Sequence, residues 1–304
     1  MIAMPEIAAR MFNTPLMLDV AKADVIARAF GPRILGGTVD VDLQGANDMG
    51  ILPQRLNRWR ASDGTSAATP HRIGAVALIE VEGSLANKGT HIGQSSGVTS
   101  YEGIAAQLEE VANDDSIKGL VVEIDSFGGM VDGCFACAEK LHRLSLQKPT
   151  IAILTDHACS AAYLIASACR SIIIPSTGFA GSIGVISMHV DMSGAAAKQG
   201  LTVTILRAGA KKAKPGPFEA MSEEEYAESI AEMEAMRVEF ADAVGRYRGA
   251  RLTKDNALAT EAAVYRGAKA VDLGLVDAVA LPEDALAAFI AEMDAAGVRD
   301  LNHP

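Results

Sequence analysis

From Ile73 onward the chain alternates short apolar runs with stretches whose apolar residues recur every three or four positions. Strands are expected at Ile73–Val81, Gly119–Ile124, Thr150–Leu154, Ser171–Ile174, Ile183–His189 and Leu201–Leu206. Helices are expected at Ser100–Asn113, Val131–Ser145, Ser160–Ala168 and Ser193–Gln199. Buried strands separated by such helices are the βαβ pattern, so the expected fold is α/β with a mostly parallel sheet. Farther on, Ser222-Glu-Glu-Glu225 fits a capping box, and Tyr226, Ile230, Met233, Phe240, Val244 and Tyr247 form one apolar stripe. That predicts a long amphipathic helix over Glu223–Tyr247, packed on the sheet or on another subunit. A last helix is expected at Pro282–Ala295.

Residues 1–72 differ from this body. An amphipathic stretch, Leu18–Phe30, is followed by glycines, prolines and a polar run ending at Pro70. They read as an N-terminal arm and linker before a domain over 73–280, with 281–304 as a C-terminal helix and tail. No stretch approaches the ~18 apolar residues of a membrane span, and the first twenty residues lack the apolar block of a signal peptide. A protein without membrane anchor, acting in the cytoplasm, is expected.

Composition narrows the function. With 49% hydrophobic residues the chain can bury a core, and 38 acidic against 27 basic residues give a net charge of −11. That charge disfavours a phosphate-backbone binder, so no nucleic-acid partner is expected. Four cysteines are too few for a secreted scaffold of this size. Cys134 and Cys137 form a C-x-x-C, but Cys159 and Cys169 add no second close pair. Two core thiols are therefore expected and no metal site.

Two strand-to-helix junctions could carry chemistry. Asp125-Ser-Phe-Gly-Gly129 follows a buried strand, and its paired glycines can turn sharply and leave amides uncovered for an anion, or make a plain βα turn. Asp156-His-Ala-Cys-Ser160 opens the next helix, where Ser160 is either an N-cap or a nucleophile. The small Ala158, Ala161 and Ala162 would let a substrate backbone approach. A nucleophilic serine needs a base. One candidate is a lysine among Lys211, Lys212 and Lys214, whose bland alternative is a solvated basic turn. The rival is His189, with Asp191 two residues on, although a local i, i+2 pair is an unusual relay. His157 reads as structural.

Five blocks in this order resemble the serine peptidase family that contains bacterial signal peptide peptidase A and the phage capsid-maturation (prohead) proteases. They are Asp125-Ser-Phe-Gly-Gly129, Ser160-Ala-Ala-Tyr163, Gly181-Ser-Ile-Gly-Val185, Ala208-Gly-Ala-Lys-Lys212 and Val264-Tyr-Arg-Gly through Leu275-Val-Asp277. The resemblance implies a crotonase-like (Clp/crotonase) spiral of ββα units and a Ser/Lys dyad without histidine or cofactor. It implies Ser160 as nucleophile, Lys212 as general base, Ser182 as the residue orienting the lysine, and the amides of Gly128, Gly129 and Ser160 as oxyanion hole. Phe127 stands where the family usually has proline, and Cys159 where a small residue is common. Lacking an anchor, and carrying the arm Arg10-Met-Phe-Asn-Thr-Pro-Leu-Met17, the chain resembles phage members most. The implied role is a homo-oligomeric protease cutting scaffold or capsid protein in the host cytoplasm or procapsid. The alternatives are a soluble peptide-degrading protease, a crotonase-fold acyl-CoA enzyme and a dormant assembly protein.

Overall fold

The computed structural model describes residues 15–18, 69–88 and 97–301. In chain order they form β1 (Leu16–Leu18), β2 (His71–Ile73), β3 (Val76–Ala86), β4 (Val98–Ser100), α1 (Tyr101–Asn113), β5 (Gly119–Met130), α2 (Cys134–Gln147), β6 (Thr150–Cys159) and α3 (Ala161–Ser167). There follow β7 (Ser171–Ile174), β8 (Phe179–Gly181), α4 (Ser193–Lys198), α5 (Glu223–Arg248), α6 (Lys254–Leu258), β9 (Val264–Arg266), α7 (Ala268–Asp272), β10 (Ala278–Val279) and α8 (Pro282–Leu301). The helical stretch expected at Leu18–Phe30 lies, apart from Leu18 in β1, outside the described residues, as does most of the linker before Pro70.

One sheet runs β10-β7-β6-β5-β3-β2, with β3, β5, β6, β7 and β10 all parallel. The expected α/β class with a mostly parallel sheet is what forms. Its central strands are almost continuously buried because helices cover both faces. On one face α1, α2, α3 and the C-terminal half of α5 contribute to the large apolar core. On the other, Ala285, Leu286, Phe289 and Met293 of α8 pack on Val76, Leu78, Val121, Ile151 and Ile153. Gly119 is glycine because α8 lies against it: an added Cβ would stand 2.7 Å from the Met293 sulfur.

The middle strands outrun their expected lengths. β3 and β5 shift register between Glu82 and Ser84, and β5 and β6 between Ile124 and Ser126. Beyond these bulges the chains bend and continue as a short second layer. There Gly128–Met130 pair with Ser84–Leu85 and β1, and β6 pairs through His157–Cys159 with β8. The bulges bring the glycine loop and the end of β6 together, which is where the site lies.

α5 begins with the expected capping box, Ser222 Oγ accepting from Glu225 N–H while the Glu225 carboxylate accepts from Ser222 N–H. Its stripe divides: Phe240, Val244 and Tyr247 are buried, whereas Tyr226 and Ile230 stand exposed. Two expected strands do not form. Residues 201–206 join no sheet among the described residues, and Leu201, Val203 and Leu206 are exposed. A strand needs a neighbour for its amides and carbonyls, and no sheet edge among the described residues pairs with the segment. In Ile183–His189 the single bridge is Ile186 with Leu16.

Arg248, essentially fully buried, ties the end of α5 to the loop before β10. It forms a two-pronged ion pair with Asp277, both contacts 2.9 Å, and donates to Gly274 O. Burial alone would raise the Asp277 pKa, but Arg248, the Ile172 N–H and Arg251 outweigh it and hold the carboxyl below the usual range.

Candidate active site

β6 stops at Cys159, α3 starts at Ala161, and Ser160 makes the whole turn between them with φ 57° and ψ −123°. This is backbone space that glycine takes freely and other residues enter at a cost of about 1–3 kcal/mol. The turn is held on both sides: Ser160 N–H donates to Gly181 O at 2.8 Å, and Ser160 O accepts from Leu164 N–H at 3.0 Å. Beneath it every residue of α3 is buried, and Tyr163 Oη donates to Leu275 O. Ser160 makes no capping bond, so the simple N-cap reading fails. Its Oγ is buried and has no hydrogen-bond partner among the described residues. Ala158, Ala161 and Ala162 are fully buried, so their small size serves close packing under this turn.

Across from Ser160 lies the glycine loop. Gly128 has φ +99°, and an added Cβ would stand 2.2 Å from Met17 O, 3.0 Å from Cys159 O and 3.0 Å from Ser160 Cβ. Only glycine fits there. Buried Ser126 fastens the loop, donating from Oγ to Gly83 O and accepting from Gly128 N–H. The amides named for the oxyanion hole are therefore partly engaged in this conformation, Gly128 N–H by Ser126 Oγ and Ser160 N–H by Gly181 O. Phe127 packs on His157 with centroids 4.3 Å apart and the rings tilted by 32°. His157 is stacked in turn on Phe179, with Nδ1 3.3 Å from Asp156 and 3.5 Å from Asp125. That histidine is held as structural packing behind the loop.

Ser182 follows directly on Gly181, whose strand pairs with Cys159, so the sheet sets Ser182 beside the Ser160 turn. It too has positive φ, 56°, and its N–H donates to Ala263 O. Lys212 is exposed in the turn after residues 201–206, and among the described residues no hydrogen bond links it to Ser160 Oγ. Its neighbours are occupied: Lys211 pairs with Glu228 and Lys214 with Glu225. Lys212 has no such ion pair among the described residues. Of its backbone groups, the N–H donates to Gly209 O and the carbonyl accepts from Arg207.

Among the described residues no hydrogen bond links His189 to Ser160 Oγ. Asp191 accepts from Ser193 N–H at 2.8 Å, and its carboxyl is held low chiefly by the Ser193 hydrogen bonds and, to a lesser degree, by His189. Cys134 and Cys137 face the core as expected, with burial pushing the Cys134 thiol up to about 12 and Cys137 higher still. Cys134 Sγ approaches Ala161 O at 3.6 Å, under the nucleophile turn. What the sequence did not signal is β1, which comes from residues 16–18 of the arm and lies against Gly128–Met130.

The model of peptidase family S49 matches residues 142–296, just over half of the chain. The chain is 34% identical over 92% of its length to the head-tail preconnector protein GP5 of Enterobacteria phage P21, and 33% identical over 96% to the capsid assembly protease C of Escherichia phage lambda. It spans 56% and 66% of those two relatives. Among solved structures, a membrane-bound stomatin-specific protease in complex with a substrate peptide aligns with 68% of this chain and 75% of its own, at 15% identity and a TM-score of 0.43. No helix of the described residues is long and apolar enough to cross a membrane. A matched family model over the body of the domain and two phage relatives over nearly all of the chain place it: this chain belongs to peptidase family S49.

Proposed function

We propose that the protein is a serine endopeptidase of phage capsid assembly, cutting scaffold or capsid protein in the host cytoplasm or procapsid with Ser160 as nucleophile and Lys212 as base. The observation that carries this reading is Ser160 itself: a buried hydroxyl, without a hydrogen-bond partner among the described residues, on a strained strand-to-helix turn beside a glycine that admits no side chain. Strain and an unsatisfied hydroxyl are costly in a fold, and together at one residue they favour chemistry over packing.

In the proposed reaction Lys212, as the neutral amine, takes the Ser160 proton while Oγ attacks the scissile carbonyl. Lys212 then protonates the leaving amine, and water releases the acyl-enzyme by the same route. Ser182, beside the turn, would orient the lysine. All three named amides are engaged at rest, Gly128 by Ser126 Oγ, Ser160 by Gly181 O and Gly129 within the strand ladder opposite Met17, so an oxyanion would have to displace one of these partners.

No hydrogen bond joins Lys212 to Ser160 Oγ among the described residues, and we attribute closing of the dyad to assembly. Leu201 is 58% exposed, Leu206 91% and Tyr226 61%, on the elements flanking the lysine turn. Such apolar exposure fits a surface covered by another copy, with residues 201–206 gaining the strand partner they lack. A homo-oligomer would thus complete the dyad. The direct test co-expresses wild type, Ser160→Ala or Lys212→Met with the shell and scaffold proteins and reads fragments by mass spectrometry. Cleavage is expected only with wild type. Wild-type cleavage by Lys212→Met, with loss in His189→Ala, would refute the dyad.

A further inference from the structure

β1 is foreign to the sheet it joins. The neighbouring strands β3, β5 and β6 run parallel, yet β1 is antiparallel to β5, with Leu16 opposite Met130, Met17 opposite Gly129 and Leu18 opposite Gly128. It is connected to β2 only through residues 19–70. Its other edge is bonded as well: Leu16 N–H donates to Ile186 O at 2.8 Å, and Ile186 N–H to Leu16 O at 2.9 Å. The arm is thus a strand paired along β5 on one edge and bridged to Ile186 on the other, and pairing along an exposed strand edge is how proteins bind extended peptides by strand addition.

The place of the slot matters more than its form. Because Leu16 spends both its polar groups on Ile186, alternation turns those of Met17 toward β5 and the glycine loop. Met17 O and Ser160 Cβ stand 2.2 and 3.0 Å from the position a Gly128 Cβ would take, so they lie no farther apart than those two lengths together. The arm runs from Met130 toward Gly128, that is, toward the nucleophile, in the sense of the acyl-side residues of a substrate. Its side chains are seated: Leu16 is 1% exposed, Met17 0% and Leu18 5%, with Leu16 and Leu18 against Met130 and Ile186 and Met17 on the opposite face in the main core.

We propose that β1 occupies the acyl-side substrate slot of the protein's own active site. A substrate then enters as an extended apolar strand, in register with Leu16, Met17 and Leu18, only after the arm has left. This rests on Ser160 being the nucleophile, but it makes a claim that binding alone can test. The arm is an intramolecular competitor: its tether gives it a high local concentration, and substrate affinity is scaled down by the fraction of molecules whose slot is open.

The experiment locks the arm in place. Leu16 and Ile186 face each other as a hydrogen-bonded antiparallel pair, whose Cα spacing of about 5.5 Å lies in the range a disulfide spans. The full-length Leu16→Cys/Ile186→Cys protein is oxidised, and bridge formation is read by mass after thiol alkylation. The four native cysteines are buried and stay out of the exchange. Casein cleavage is measured before and after dithiothreitol. In the same protein carrying Ser160→Ala, binding of a fluorescein-labelled peptide of the arm sequence Thr14-Pro-Leu-Met-Leu18 is followed by anisotropy. Locking is expected to abolish both in the bridged molecules, so that a preparation bridged to about nine-tenths loses about tenfold of its cleavage and of its bound peptide, and reduction to restore them. If the bridge fails to form, or if the locked protein cleaves and binds as its reduced form does, the proposal is overturned. Reversible peptide binding without cleavage in any state would uphold the slot and count against the peptidase reading instead.

Discussion

Replacing Ser160 should stabilise the resting protein while abolishing its activity. The hydroxyl is buried without a partner, and leaving such a group unsatisfied costs about 1–3 kcal/mol. Ser160→Ala removes that cost, keeps Cβ against Gly128 and leaves the backbone strained, so a gain of about 1–2 kcal/mol is expected from the hydroxyl alone. Ser160→Gly also relieves the φ 57°, ψ −123° conformation, worth about 1–3 kcal/mol. Against this stands the greater freedom of glycine in the unfolded chain, about 0.5–1 kcal/mol. Both variants should therefore melt higher, at about 2–4 °C per kcal/mol, the scaling for domains of about 150–250 residues. The assay is thermal unfolding of each variant beside wild type at one protein concentration, with casein cleavage on the same samples. A Ser160→Ala protein that melts lower than wild type would refute the reasoning. It would mean that the hydroxyl has a partner in solution, Lys212 being the first to examine, and that the dyad is already closed in the resting state.

Gly128→Ala should lose cleavage and cost at least about 1–3 kcal/mol from the φ +99° backbone alone; the new methyl also meets Met17 O and Cys159 O, both backbone atoms, and urea unfolding with the casein assay would read both effects. Asp277→Asn should cost about 3–5 kcal/mol, because it strands the buried Arg248 guanidinium. The same pair predicts acid sensitivity. The Asp277 pKa is depressed in the folded protein, so its contribution is fully present above the unfolded value near 3.9 and is lost as pH falls through the lower folded one. Urea midpoints from pH 5 to pH 2.5 should fall less steeply in Asp277→Asn than in wild type. Lys212→Met should leave the melting temperature within about 1 °C of wild type, as expected for an exposed side chain, while cleavage disappears; a large drop in stability would give the lysine a structural role instead.

The central strands were legible because burial on both faces writes them as unbroken apolar runs, and the α5 start because a capping box is local chemistry. The extensions of β3, β5 and β6 past their bulges were not. After Ile124 the side chains become Asp125, Ser126 and paired glycines, which read as a loop, although the backbone goes on pairing with Ser84, Leu85 and Ala158. Of the site, the nucleophile turn and its glycine partner could be named from small residues at strand ends. The engagement of the Ser160 and Gly128 amides could not, since it depends on where Gly181 and Ser126 arrive in space.

β1 and residues 201–206 were misjudged for opposite reasons, and the pair bears on how the site works. Leu16, Met17 and Leu18 are three apolar residues in a segment that otherwise reads as an arm, too short to count as a strand unless a slot exists to receive them. Leu201, Val203 and Ile205 alternate with threonines as a strand should, but a strand is a relation between two chains and the second is absent here. One segment found a partner that its pattern did not announce, and the other announced a partner that it did not find. In the proposed mechanism both bear on catalysis: β1 is bonded where an acyl-side peptide would lie, and the 201–206 segment leads into the turn bearing Lys212. A resting single chain would then be doubly restrained, its slot filled from within and its base not bonded to Ser160. Assembly that gave 201–206 its neighbour would carry Lys212 inward, and an incoming strand would have to compete β1 out. Both restraints act through backbone pairing, which side-chain patterns record only when the partner lies within the same chain.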